Sequence, residues 1–67
     1  MPGITHEKII EILKDYRKHV SWETWKVKGS IMFTIKAKYG EAINMKSAGA
    51  IYDSLLEQEE TEKGLHE

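Results

Sequence analysis

Residues 30–45, SIMFTIKAKYGEAINM, constrain the fold of this chain more than any other stretch. Ile31, Phe33, Ile35, Ala37 and Tyr39 fall on one parity, while Ser30, Met32, Thr34, Lys36 and Lys38 fall on the other. Side chains on extended backbone point alternately to opposite faces, so this alternation predicts a strand with one face buried. A three-residue turn at Lys38, Tyr39 and Gly40, with Gly40 in a left-handed bulge position, sets Ile35 opposite Ile43 and Phe33 opposite Met45. The same loop length at Lys28, Gly29 and Ser30 sets Val27 opposite Ile31 and Trp25 opposite Phe33. Both registers close an apolar set, and a one-residue slip would turn every side chain to the wrong face. The middle of the chain therefore reads as a three-stranded antiparallel meander.

Helical patterns flank it. Ile9, Ile10, Ile12, Leu13, Tyr16 and Val20 recur at helical spacing, with Thr5 placed to cap, Glu7 in the first turn and Ile4 positioned to staple onto Ile9. This predicts a first helix over about residues 5–19. Ala48, Ile51, Tyr52, Leu55 and Leu56 repeat the spacing after Ser47, which reads as the N-cap of a last helix. The expected fold is α+β, in the order α-β-β-β-α, with both helices packed on the sheet face that bears Trp25, Val27, Ile31, Phe33, Ile35, Ile43 and Met45. Residues 1–58 form a single compact domain in this reading. Residues 59–67, nearly all polar and acidic, form a mobile tail.

A chain of 67 residues holds one small core at most, and with no cysteine it has neither a disulfide nor a thiolate metal site to reinforce that core. Self-association as a homodimer is an alternative source of stability. Absence of cysteine fits the cytoplasm. No apolar run approaches the roughly 18 residues of a membrane span, and MPGITHEKII lacks the layout of a signal peptide.

The net charge of −1 conceals a segregation of charge along the chain. Residues 20–46 set Lys26, Lys28, Lys36, Lys38 and Lys46 against only Glu23 and Glu41; from residue 47 onward Lys63 faces Asp53, Glu57, Glu59, Glu60, Glu62 and Glu67. On the expected sheet those lysines gather on the open face, with Met32, Thr24, Thr34 and Asn44, and Trp22 shares their parity. Lysines neutralise phosphates and an exposed indole stacks on bases. The N-terminus of the last helix, at Lys46, Ser47 and Gly49, offers an anion further backbone donors. The nucleic-acid-binding set is thus Trp22, Lys26, Lys28, Lys36, Lys38, Lys46 and Ser47. The element order is similar to that of double-stranded RNA-binding domains. The resemblance is architectural: KSAGA supplies one lysine where those domains carry a cluster, and the first hairpin has no histidine.

Catalytic signals are sparse. Glu11, Asp15 and His19 share one helical face at the spacing of a carboxylate-histidine metal site, a pattern that also describes a solvated charged stripe. There is no nucleophile elbow and no glycine-rich phosphate loop. The expectation is a non-enzymatic accessory or regulatory protein, without cofactor or metal, binding DNA or RNA through a basic sheet face. The rival expectation is a protein-interaction module or inhibitor that uses Trp22, Met32 and the acidic C-terminal segment.

Overall fold

The first helix begins where the sequence places it. Thr5 is extended and its Oγ1 accepts the Lys8 N–H at 3.1 Å, opening α1 over His6–Arg17. The computed structural model describes residues 3–66, with side chains described as far as residue 62. After α1 come a short α2 (Trp22–Trp25), α3 (Lys28–Tyr39), a 3-10 turn (Gly40–Ala42) and α4 (Met45–His66). There is no strand among the described residues, so the three-stranded meander and the α+β class are overturned. With the sheet goes the likeness to double-stranded RNA-binding domains.

The reason lies in the pattern itself. Residues four apart lie on one side of a helix and also on one side of a strand, so Ile31, Ile35 and Tyr39 satisfy both periods. Only Phe33 and Ala37 separate the two. A strand would bury them with Ile31 and Ile35, whereas the helix turns them outward, and Phe33 is 75% exposed while Ile31 and Ile35 are buried. Val27, also assigned to the buried sheet face, is exposed at the N-cap of α3. Gly29 was to sit in a hairpin turn and instead lies in the first turn of α3. Gly40 does take the positive φ of 58° that its turn position suggests, but it ends a helix there.

The last helix starts two residues earlier than Ser47. Asn44 caps it: its Oδ1 accepts the N–H groups of Lys46 (3.0 Å) and Ser47 (3.1 Å), and its carbonyl accepts from Ala48. At the other end α4 continues through His66, so the residues expected as a tail from 59 onward are helical as far as they are described; Glu67 lies outside the described residues.

Three contacts fix how the helices run. The Ile4 N–H donates to the Ala42 carbonyl, setting the start of α1 beside the approach to α4; an added Cβ at Gly3 would stand 2.7 Å from that same oxygen. Arg17, at the end of α1, meets Glu59 about four turns along α4, so α1 and α4 are parallel. Lys28, opening α3, bonds Asp53 at 3.0 Å, so α3 descends antiparallel to both. The core lies between them: Ile9 and Leu13 of α1, Trp25 of α2, Ile31 and Ile35 of α3, Ile43, and Ala48, Ile51 and Tyr52 of α4. Trp25 and Tyr52 rings stand 4.9 Å apart, and the Tyr52 hydroxyl donates to the Trp25 carbonyl at 2.5 Å.

Gly29 separates the two backbone conformations experimentally. An added Cβ there meets nothing within 4 Å, so Gly29→Ala stabilises the protein by about 0.5–1 kcal/mol in chemical denaturation. Tyr52→Phe strips a donor from a buried carbonyl and costs about 1–3 kcal/mol at neutral pH. Burial, and then the charges of Asp53, Glu60 and Glu59, raise the Tyr52 pKa, so folding favours the neutral phenol. That contribution is intact below the ordinary tyrosine value of about 10 and is lost as pH rises above it, so the stability gap between wild type and Tyr52→Phe narrows in that range.

Candidate functional site

α1 and α3 each pack on α4, and the seam between the two, on the side away from α4, is open. It forms a groove of about 840 Å³ with an apolar floor of Ile4, Ile12, Tyr16, Ile35 and Tyr39. Helical spacing explains the lining. Ile12 and Tyr16 sit one step round α1 from the buried Ile9 and Leu13, so they are half covered and border the opening. On α3, Thr34 and Lys38 follow each other by one turn and edge the groove beside Ile35 and Tyr39. The Thr34 hydroxyl donates to the Ser30 carbonyl at 3.0 Å, and the Lys38 ammonium stands 5.6 Å from the centre of the Tyr39 ring.

The two rims differ in charge. Lys8, Glu11, Asp15 and His19 line the α1 edge, and Lys38 is the charged group of the α3 edge. The face shared by Glu11, Asp15 and His19 therefore exists, and it borders the groove. His19 Nε2 lies 3.8 Å from Asp15 Oδ1, both side chains well exposed, while Glu11 turns to Lys8 at 4.0 Å. Among the described residues no group of three His, Cys, Asp or Glu side chains is arranged to hold a metal ion.

The seven residues assigned to nucleic acid do not share one face. Trp22 is half-buried on α2, and Lys26 at the end of that helix pairs with Glu23 at 3.1 Å. Lys38 edges the α1/α3 groove. Lys28 and Lys46 border a different hollow, of about 470 Å³, between α3 and α4, where Lys28 is paired with Asp53. Lys36 lies on the outer surface of α3, one turn beyond Met32. The helix N-terminus at Ser47 already has its acceptor in Asn44, so the expected backbone anion site is filled by the protein's own cap. The common plane that joined these residues was the sheet face, which this fold lacks.

Sequence reading missed Arg17. Its guanidinium donates from Nε to both Glu59 oxygens, at 3.0 and 2.9 Å, and from Nη1 to the Val20 carbonyl at 2.9 Å. It also packs 5.9 Å from the Trp22 ring centre and 5.8 Å from that of Trp25. The hydrogen bonds and charge of Glu59 raise the Arg17 pKa against the opposing effect of burial, so the site favours the cation. One signal was available in the sequence: Ala48, Tyr52, Leu55 and Glu59 follow alternating four- and three-residue steps, which places a carboxylate on the buried stripe of α4 and calls for a cation opposite.

No helix among the described residues is long and apolar enough to cross a membrane. Arg17→Lys keeps the charge and loses the fork; it costs about 1.5–3 kcal/mol, and amide exchange across residues 57–62 speeds up more than across the first two turns of α4. No family model matches the chain, and no curated protein or solved structure matches it either.

Proposed function

We propose that this is a non-enzymatic, cytoplasmic interaction module that receives an amphipathic helix of a partner protein in the α1/α3 groove. The observation that carries the reading is the open seam between two antiparallel helices already backed by α4. Each of the two helices has 12 residues, about 18 Å, which is enough to seat three or four turns of a partner. A helix laid there completes a four-helix bundle, the arrangement that buries an apolar stripe against two neighbours at once.

The rims give the partner its chemistry. Glu11 and Asp15 along α1 favour a partner with basic residues on that flank, and Lys38 favours an acidic residue on the other. The apolar stripe between those flanks follows i, i+3, i+4, i+7 spacing and covers Ile12, Tyr16 and Tyr39. This keeps the protein-interaction class of the rival expectation and moves its surface. Trp22 and Met32, the contact centre expected there, are both partly buried in packing against the core.

The test is a nuclear magnetic resonance titration with a designed helical peptide that carries an Ile/Leu stripe, basic residues on one flank and acidic residues on the other. Shifts at Ile12, Tyr16, Thr34 and Tyr39 support the reading, provided Thr34→Trp, which fills the groove from its rim, weakens the peptide by about tenfold or more. Shifts confined to α4, or binding unchanged in Thr34→Trp, overturn it.

A further inference from the structure

The flank made by α3 and α4 is polar along its length in an ordered way. α4 turns Gly49 and Asp53 toward α3: Lys28 bonds Asp53, and its Nζ stands 3.7 Å from the position of a Cβ on Gly49. Glu57 and Glu60 continue that stripe one and two turns further along α4, past the start of α3, where both are exposed. At the opposite end of the flank, Lys46 opens α4 and Lys36 lies in the closing turn of α3, again exposed. α3 itself contains Lys28, Lys36 and Lys38 and no acidic residue.

The charges in the middle of this flank are matched, because Lys28 and Asp53 satisfy each other. Those at its ends are not. Among the described residues Lys36, Lys46, Glu57 and Glu60 make no ion pair within the chain, and Glu57 and Glu60 repel each other at i,i+3 spacing. Lys46 and Glu60 are separated by about 21 Å along α4. Apolar surface lies between the ends, where Met32 and Met45 border the α3/α4 hollow.

We propose that this flank is the contact between two copies of the chain, related by a two-fold axis perpendicular to α4 and passing near the Lys28–Asp53 pair. A rotation about that axis carries the basic end of one copy onto the acidic end of the other, and does so twice, so every unmatched charge gains a partner. The two methionines supply the apolar centre that the charges surround. The groove between α1 and α3 lies on another side of α3 and stays open in the dimer, so this inference is independent of the proposed helix partner.

Charge-swapped variants test it, with mass measured by light scattering at about 0.1 mM protein and about 20 mM salt. Wild type is expected as a dimer that dissociates as salt rises to about 0.5 M. Lys36→Glu with Lys46→Glu is monomeric, and so is Glu57→Lys with Glu60→Lys. The chain bearing all four substitutions, whose net charge equals that of wild type, dimerises again. All four charged sites are exposed, and circular dichroism verifies that each variant keeps its helices. Thr34→Trp leaves the dimer intact, which separates this contact from the groove. A monomeric wild type at low salt overturns the proposal, as does association indifferent to the charge swaps. So does a monomer that binds duplex or single-stranded oligonucleotides through Lys36 and Lys46, since the same face would then serve a polyanion.

Discussion

Trp25 is the residue through which the helices hold one another. It belongs to a four-residue helix that has no stability of its own, yet it is completely buried. Its ring meets Tyr52 of α4, its carbonyl accepts the Tyr52 hydroxyl, and the Arg17 guanidinium of α1 stands 5.8 Å from its ring centre. An indole of this size supplies a large share of the apolar area that a 67-residue chain can bury. α1, α2 and α4 are thereby tied at one point, and α3 follows directly from the loop at Val27.

From that tie the placement of α4 as a spine follows. Arg17 holds Glu59 about four turns along it, and Asp53 holds the start of α3. α1 and α3 then lean on α4 from two sides and leave the seam between themselves open. The groove is a consequence of three helices sharing one small core: the buried residues of α1 and α3 point to α4 and α2, and too few large side chains are left to fill the far side of their junction. Its floor of half-covered Ile12, Tyr16 and Tyr39 is the apolar surface left over.

Much of the fold's local content was readable in the residues. The Thr5 cap, the extent of the first helix, the apolar stripe from Ala48 to Leu56 and the positive φ at Gly40 all follow from propensities that act within a few residues. The middle third is ambiguous in the sequence because Ile31, Ile35 and Tyr39 fit both periods, and Phe33, expected in the core, faces solvent. Asn44, expected on the open sheet face, caps α4 in place of Ser47, three residues on, because both side chains have the same preference for that position. Of the groove, the stripe of Glu11, Asp15 and His19 was visible on α1. Its opposite wall, Thr34 and Lys38, becomes a wall only when residues 28–39 are helical.

By itself the sequence determined that the chain is small and without disulfides, with a helix on either side of its middle, with Ile9, Leu13, Trp25, Ile31, Ile35 and Ile43 inside and a basic middle followed by an acidic end. Those features depend on composition and short-range spacing. The tertiary structure decided that the middle is a helix, that Phe33 stays outside, which lysines share a surface, and that an open groove separates α1 from α3. Such outcomes depend on contacts far apart in the chain, Arg17 with Glu59 and Lys28 with Asp53 among them. No local period encodes these contacts, because their free energy is realised only when the helices meet.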